Sequence, residues 1–248
     1  MVKPVLFIDA DSIAYKSAFA SEVETDWGND IWTLHSDLSE AKYIFTNEIK
    51  KIREAFNDDW SYVLCFTAEG NFRKELFPEY KANRKKQRKP IVLKPLIEWA
   101  RFTHNSLAEN KLEADDILGL YADCGVLVSI DKDLQTVAGM HYNPDKVEKG
   151  LQVVTEEEAH YNHMLQTLCG DSTDGYGGCP KVGIKTAEKI LDVPQEEMWD
   201  AVVKAYKKQG LSEKYAVIQA QLARILRGNE YNWETCELNL WSPEGGET

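Results

Sequence analysis

Short runs of apolar residues recur along the first two thirds of the chain, each followed by polar or turn-forming residues. Two of these runs stop at an aspartate, Asp9 and Asp131. Runs of this length that are apolar throughout are typical of strands buried on both faces of a parallel sheet. The pattern predicts strands at 5–8, 62–66 and 126–130 and a weaker one at 151–154.

Helical periodicity separates these runs. Apolar residues repeat every three or four positions from 38 to 56, behind a capping pair formed by Asp37 and Glu40. A second helix is predicted over 112–121, and the chain after Thr155 reads as helices, beginning with a Thr155–Glu158 capping box and including a late helix that stops near Gly228. Strands alternating with helices indicate an α/β fold with a mostly parallel sheet.

Composition narrows the class of protein. The chain has 248 residues, 43% of them hydrophobic, and no apolar run long enough to span a membrane. Its five cysteines are scattered and form no Cys-x-x-Cys pair, which argues against a zinc site or a disulfide framework. We therefore expect a cytoplasmic protein with reduced thiols and no membrane partner.

The charge is unevenly distributed. The net charge of −12 by itself speaks against a nucleic-acid binder. Between Phe72 and Lys94, however, nine basic residues face only two acidic ones. A run of basic residues is usually a face exposed to solvent. Here the acidic residues elsewhere in the chain also form clusters. A basic segment beside such clusters could bind the phosphates of a nucleic acid.

Acidic residues follow the predicted strands or begin helices near them. Because the carboxyl ends of parallel strands meet at one edge of a sheet, we expect most of these side chains to face one crevice. Clustered carboxylates repel one another, and Mg²⁺ or Mn²⁺ would relieve that repulsion. Asp11 is expected merely to cap the following helix. The candidate ligands are Asp9, Glu113, Asp115, Asp116, Asp131, Asp133, Asp171 and Asp174.

A glycine-rich segment follows the last acids. Residues 175–187 contain four glycines and lead through Lys185 and Thr186 into a predicted helix. Glycines let the backbone approach a phosphate closely, and the first turn of a helix presents free N–H groups to it. The segment is therefore a candidate contact for a nucleic-acid backbone.

These motifs, in this order, resemble the 5′-nucleases of the flap endonuclease type, which have a PIN-like core. Residues 221–232 are most similar to the branch of that family found in T-seven-like phages. The resemblance covers nearly the whole chain. The motifs that carry it are Phe7-Ile-Asp9, Asn71-Phe-Arg-Lys-Glu-Leu76, Glu79-Tyr-Lys-Ala-Asn-Arg84, Leu112-Glu-Ala-Asp-Asp-Ile-Leu-Gly119, Ser129-Ile-Asp-Lys-Asp133, Gly170-Asp-Ser-Thr-Asp174 and Pro180-Lys-Val-Gly-Ile-Lys-Thr-Ala187.

The resemblance implies an architecture of two parts. A PIN-like nuclease core with a mostly parallel central sheet flanked by helices would occupy residues 1–155, with a helical arch at about 70–95. A C-terminal helical subdomain would occupy 156–248 and carry a helix–three-turn–helix at about 170–192.

It also implies a function. The protein would be a divalent-metal-dependent 5′→3′ exonuclease on double-stranded DNA, with flap endonuclease and RNA-primer-removing (RNase H-like) activity. Two Mg²⁺ or Mn²⁺ ions would support phosphodiester hydrolysis to 5′-phosphate products, and K⁺ would bind at the helix–three-turn–helix. Its partners would be DNA with 5′ ends or flaps and RNA/DNA hybrids. It would act as a monomer in phage DNA replication and recombination, in the host cytoplasm.

Residue roles follow from the same resemblance. Asp9, Glu113 and Asp115 would hold the first metal, and Asp131, Asp133 and Asp171 or Asp174 the second, with Asp115 or Asp116 between them. Lys81 and Arg84 would steer and stabilise the scissile phosphate, and Arg73 would support the arch. The DNA-binding residues would be Lys85, Lys86, Lys181, Gly183, Lys185 and Thr186.

One position departs from the family pattern. The family has an aspartate shortly after the second strand, where this chain has Ala68 followed by Glu69. Glu69 would replace the missing ligand, or the first metal would lack one, or the residue was altered in this chain.

Two other functions stay open at this stage. A haloacid-dehalogenase-type phosphatase would use Asp9 as nucleophile, Asp11 as general acid and residues 170–174 as its metal loop. That function would not use the acids at 113–116 and 131–133. A non-catalytic nucleic-acid-binding relative is suggested by Ala68.

Overall fold

A central sheet and nine helices account for most of the structure, a computed structural model that describes residues 4–56 and 60–243 apart from the side chains of Lys85 and Lys86. The strands are β1 (Val5–Asp9), β2 (Glu22–Asp26), β3 (Trp32–Ser36), β4 (Ser61–Cys65), β5 (Ser106–Leu107), β6 (Gly125–Val128), β7 (Gly139–Tyr142), β8 (Leu151–Val154), β9 (Tyr231–Asn232) and β10 (Glu237–Leu238). The helices are α1 (Ala10–Ala20), α2 (Leu38–Glu54), α3 (Phe72–Leu76), α4 (Leu93–Thr103), α5 (Ala114–Leu120), α6 (Glu156–Cys169), α7 (Ile184–Ile190), α8 (Met198–Lys208) and α9 (Glu213–Ala223).

The sheet has the order β5-β4-β1-β6-β7-β8 and is parallel except for β8, which runs antiparallel to β7. This confirms the predicted mostly parallel α/β fold. The sequence did not predict β5, β7 or the separate β2–β3 hairpin. None of these segments shows a continuous apolar run in the sequence. β5 has only two residues, the apolar sequence of β7 is interrupted by His141, and the hairpin is largely exposed.

Strand β1 lies at the centre of the sheet and buries both of its faces. Leu6 and Ile8 join an apolar cluster with α1, α2 and α4, whereas Phe7 points to the opposite face and packs with α5. This two-residue alternation with apolar side chains on both faces explains the uninterrupted apolar run. It also fixes where β1 ends, and therefore where Asp9 lies.

The helix caps predicted from the sequence are largely confirmed. Asp37 caps α2 through the Ser39 N–H, and Thr155 and Glu158 form a reciprocal capping box at α6. The last helix stops earlier than predicted, at Ala223 instead of near Gly228. The backbone leaves the helix there because 224–226 crosses to α5, where a Cβ on Gly119 would lie 2.2 Å from the Leu226 oxygen.

The predicted arch, about 70–95, folds as short pieces. It contains α3, a 3₁₀ segment over Ala82–Lys86 and the beginning of α4. After it, α6, the turns at 170–183 and α7 follow in the order expected for a helix–three-turn–helix, and α6 to α9 share an apolar cluster of their own. No helix within 4–56 and 60–243 is long and apolar enough to cross a membrane.

Candidate active site

A cavity of about 320 Å³ opens at the carboxyl ends of β1, β4 and β6. The loops that leave these strands, the beginning of α5 and the turns before α7 form its wall. Three basic side chains, Arg73, Lys81 and Arg84, lie at the same cavity. The acidic residues that line it are Asp9, Asp11, Glu113, Asp115, Asp131, Asp133 and Asp174. The predicted convergence of carboxylates therefore occurs, and it brings in most of the predicted residues.

Asp9 is held in place by its position between β1 and α1. Its Oδ1 accepts hydrogen bonds from the backbone N–H groups of Asp11 and Ser12, and its Oδ2 accepts one from the Ser129 hydroxyl at 3.1 Å. Burial raises the pKa of Asp9, those hydrogen bonds oppose the rise, and nearby Asp131 adds to it. The cavity therefore carries a buried negative charge that lacks a full counter-charge.

Asp115 and Asp133 are also partly buried, close to other carboxylates. Burial first, then neighbouring carboxylates including Asp131, raise the pKa of Asp115 well above its usual range and that of Asp133 to about 6. Within the described part of the chain, the Asp115 carboxylate has no hydrogen-bond or ion-pair partner. These acids repel one another across the cavity, and a cation between them would remove that repulsion.

Glu113, in contrast, is fully paired. Its Oε1 lies 2.5 Å from Lys81 Nζ, and its Oε2 accepts hydrogen bonds from Arg73 and from the Tyr80 hydroxyl at 2.9 Å. Burial alone would raise the pKa of Glu113, but the two basic side chains hold it at about 2. Glu113 is therefore a fixed carboxylate to which the basic segment is attached.

Lys81 and Arg84 reach the cavity from the basic segment. Lys81 has a left-handed backbone, with φ 55, and its N–H donates to the Asp174 carbonyl at 2.6 Å, which turns the side chain inward. Burial alone would lower the pKa of Lys81, but Glu113 and Asp174 raise it. Arg84 Nη2 lies 2.5 Å from Asp174 Oδ1, so a second basic side chain contacts the acids of the cavity.

Two predicted metal ligands lie outside the cavity. Asp116 is completely buried and forms a two-bond ion pair with Arg73, at 2.7 and 2.8 Å. Asp171 uses its Oδ1 to accept the N–H groups of Thr173 and Asp174 and so shapes the turn. Adjacent acids on a helix or turn point in different directions, which spacing alone does not show. Arg73, predicted to support the arch, also donates to the Leu222 and Arg224 carbonyls and joins α3 to the end of α9.

The outcome at Ala68 differs from the expectation. Glu69 is exposed and does not line the cavity. Asp11, expected to cap the following helix, does not do so, because Asp9 is the capping residue of α1. Instead, Asp11 Oδ2 accepts the Thr67 N–H at 2.9 Å, and its carboxylate faces the cavity. Burial and the charges of Asp9 and Glu113 raise the pKa of Asp11 to about 6.

The donor set suits a hard divalent cation, since every candidate ligand is a carboxylate oxygen. Among residues 4–56 and 60–243, no three acidic, imidazole or thiol groups are drawn around one point at metal-binding spacing. Lys81 and Arg84 hold Glu113 and Asp174 instead. The mutually repelling carboxylates of Asp9, Asp115 and Asp133 nevertheless fit a bound cation. Such a cation would compete with Lys81 and Arg84 for the oxygens of Glu113 and Asp174.

Four of the predicted DNA-binding residues do not line the cavity. Lys181, Gly183, Lys185 and Thr186 are all exposed on the turn before α7 and on its first residues. The side chains of Lys85 and Lys86 are outside the described part of the structure. The exposed group presents positive charge and backbone N–H groups on one turn.

Sequence reasoning missed three side chains that organise the cavity. Tyr80 is 2% exposed and its hydroxyl lies between Glu113 and Asp174. Ser129 anchors Asp9, and the Thr67 hydroxyl accepts the Ala114 N–H at 3.0 Å at the beginning of α5. Tyr80 was visible as the residue before Lys81 in the arch motif. Ser129 was likewise visible as the first residue of the Ser129–Asp133 motif, whereas Thr67 carried no separate signal.

Comparisons with known proteins find relatives over nearly the whole chain. Residues 4–163 match the family model described as the 5′-3′ exonuclease N-terminal resolvase-like domain. The chain is 32% identical to the exonuclease of Escherichia phage T7, over 97% of this chain and 94% of the phage protein. It is also 32% identical to the exodeoxyribonuclease of Enterobacteria phage T3, over 97% and 93% of the two chains.

Solved structures share the fold at low sequence identity. The T5 D15 protein co-crystallised with metal ions aligns with a TM-score of 0.61 and 16% identity, over 88% of each chain. The bacteriophage T5 D15 flap endonuclease in complex with DNA and metal ions aligns with a TM-score of 0.54 and 16% identity, over 88% of this chain and 92% of that one.

Proposed function

This chain belongs to the 5′–3′ exonuclease family, and from that premise we propose that it hydrolyses double-stranded DNA from 5′ ends with divalent metal ions. The proposal extends to cleavage of 5′ flaps and removal of RNA primers from RNA/DNA hybrids, with 5′-phosphate products. Mg²⁺ or Mn²⁺ would be the cofactor, bound as two ions. The protein would act as a monomer in phage DNA replication and recombination.

The observation that carries the proposal is the cavity itself. Seven acidic side chains line it, with Lys81 and Arg84 at the same place. Carboxylates alone would repel a phosphodiester, so a cavity of this composition can receive one only when cations are bound there too. The solved D15 relatives carry metal ions, and one of them carries DNA. That combination supports a metal-assisted phosphodiesterase.

We apply the grouping of metal ligands that the family resemblance implies to the carboxylates that line the cavity. Asp9, Glu113 and Asp115 would hold one ion, and Asp131, Asp133 and Asp174 would hold the other. Ions at these places would neutralise the scissile phosphate and lower the pKa of water.

The protein side chains supply position and charge. Lys81 and Arg84 would exchange their present contacts with Glu113 and Asp174 for oxygens of the scissile phosphate. Tyr80, whose pKa burial raises, stays a neutral hydroxyl that fixes Glu113 from behind. Arg73 contacts Glu113 and forms an ion pair with Asp116, and these contacts hold the basic segment against α5.

The DNA on the far side of the cut would lie along the C-terminal part. Lys181, Gly183, Lys185 and Thr186 would bind the backbone of the uncut duplex, and Lys85 and Lys86 would add further DNA contacts. A K⁺ ion in the turns at 170–183 would support that contact. The division into a core, 1–155, and a helical subdomain, 156–248, belongs to the same proposal.

The experiment is a time course on end-labelled duplex and 5′-flap DNA with Mg²⁺, Mn²⁺ or EDTA. We expect nucleotides or short products released from the 5′ end with either metal and none in EDTA. The double variant Asp131→Asn/Asp133→Asn, folded by circular dichroism, should lose at least about 100-fold in rate. Binding without cleavage at every metal concentration would instead support a non-catalytic nucleic-acid-binding protein, and a trapped aspartyl-phosphate on Asp9 would support a phosphatase.

A further inference from the structure

The residues that follow β4 contribute no carboxylate to the cavity wall, which leaves a gap among its acidic side chains. Two other strands of the sheet provide carboxylates to this wall, Asp9 at the end of β1 and Asp131 in the loop after β6. The chain leaving β4 contributes only Thr67, because Ala68 has no donor and Glu69 is exposed away from the cavity. If this wall is to hold a cation on the β4 side, the ligand has to come from another element.

Asp11 is the acid that reaches this gap. It lies in the first turn of α1, and its carboxylate crosses to β4, where it accepts the Thr67 backbone N–H at 2.9 Å. The Thr67 hydroxyl is in turn fixed by the Ala114 N–H at 3.0 Å, next to Glu113. Asp11 is therefore held on the same cavity wall as Asp9 and Glu113, two of the assigned ligands of one ion.

A purely local role does not account for this arrangement. Helix α1 already has its capping residue in Asp9, which accepts the N–H groups of Asp11 and Ser12. A neutral side chain such as asparagine could accept the Thr67 N–H equally well. A charged carboxylate, by contrast, is placed beside two other acids, where it costs electrostatic repulsion unless a cation is bound.

We propose that Asp11 is a ligand of the metal ion held by Asp9 and Glu113 and supplies the carboxylate that the end of β4 lacks at Ala68. The proposal rests on the proposed metal-dependent function. It makes Asp11 part of the binding site for the ion and leaves Glu69 outside it.

The test measures metal binding without DNA, so that it does not depend on turnover. Mn²⁺ is titrated into the metal-free full-length protein and followed by calorimetry and by the electron paramagnetic resonance signal of free Mn²⁺. The variants are Asp11→Asn, which keeps the size and the acceptor for Thr67, the shorter Asp11→Ser, the matched acid Glu69→Gln, and the double variant Asp11→Asn/Ala68→Asp. Circular dichroism and thermal unfolding accompany each titration.

We expect Asp11→Asn and Asp11→Ser to weaken Mn²⁺ binding at one site by at least about tenfold, as loss of a group in a metal site does. Glu69→Gln should bind as the unsubstituted protein does. Ala68→Asp should restore most of the affinity lost by Asp11→Asn, because it places a carboxylate on the same wall.

Three results would overturn the proposal and leave the function standing. One is unchanged Mn²⁺ binding in folded Asp11→Asn and Asp11→Ser, with only the unfolding temperature lowered, which would make Asp11 a structural residue. The second is weaker binding in Glu69→Gln instead, and the third is no recovery of affinity when Ala68→Asp is added to Asp11→Asn. Absence of any bound Mn²⁺ in the unsubstituted protein would contradict the proposed function itself.

Discussion

Arg73 and Asp116 form an ion pair in the interior that joins the basic segment to α5. Arg73 is 3% exposed and Asp116 is fully buried, and two hydrogen bonds of 2.7 and 2.8 Å connect them. Asp116 also accepts the Leu226 N–H, and Arg73 also contacts Glu113. This buried pair thus fixes Arg73, which in turn helps to hold Glu113, the ion-pair partner of Lys81.

Breaking this pair from one side should destabilise the fold strongly. Asp116→Ala leaves the Arg73 guanidinium buried without its counter-charge, which costs about 3–5 kcal/mol. Urea unfolding should show that loss of free energy. The control is Glu98→Ala, which breaks the exposed Lys94–Glu98 pair and should shift the midpoint little. A loss under about 1 kcal/mol for Asp116→Ala would mean that the pair does not hold the segment.

Removing the Lys81 ammonium group should slow cleavage more than it weakens DNA binding. Lys81→Ala takes away a charge 2.5 Å from Glu113 in the cavity, and loss of one such group costs about 10²–10³ in rate. The measurement is single-turnover cleavage of 5′-labelled duplex at saturating protein. Lys74→Ala, exposed in the same basic segment, is the matched control and should cleave at nearly the original rate. Equal effects of both would reduce Lys81 to a general contribution of positive charge.

The turns before α7 should tolerate no side chain where they cross. Gly178 has φ +61, and a Cβ on it would lie 2.3 Å from the Gly170 nitrogen, while a Cβ on Gly177 meets nothing within 4 Å. We expect Gly178→Ala to lower the free energy of unfolding by more than about 2 kcal/mol and Gly177→Ala by under about 1 kcal/mol. Thermal unfolding of the pair measures this. Similar losses from both would place the close approach elsewhere.

Mg²⁺ should stabilise the folded protein without DNA. The ion would bind the folded cavity and relieve the repulsion among its carboxylates. The unfolding temperature should therefore rise as the Mg²⁺ concentration increases past the dissociation constant. The rise should disappear in Asp131→Asn/Asp133→Asn and should not be reproduced by NaCl of equal ionic strength. A rise of the same size in the double variant would show that Mg²⁺ acts outside the cavity.

Lys185 should contribute to duplex affinity in a salt-dependent way. It lies exposed in the first turn of α7, where it would contact a phosphate. Lys185→Ala should weaken binding across all sequences and reduce the slope of log affinity against log salt by about one. Lys189→Ala, exposed in the last turn of the same helix, should change neither. Fluorescence anisotropy at several NaCl concentrations, with catalysis blocked by EDTA, compares the two, and equal slopes would contradict the contact.

Much of the fold was determined by local pattern. The apolar runs that predicted β1, β4 and β6 exist because those strands are buried on both faces, and the caps at Asp37 and Thr155 act within one turn. The order of the motifs alone was specific enough to indicate the family. Asp9 and Asp131 could be placed at one edge because the carboxyl ends of parallel strands coincide.

Only the tertiary structure decided which acids share the cavity. Asp115 and Asp116 are adjacent in sequence, yet one faces the cavity and the other pairs with Arg73, because successive residues on a helix point about 100° apart and a buried arginine needs a partner. Asp11 reaches the cavity only because Thr67, 56 positions later, lies beside it. Pattern along the chain therefore determined which residues begin and end the elements, and packing between distant elements decided where each charge points.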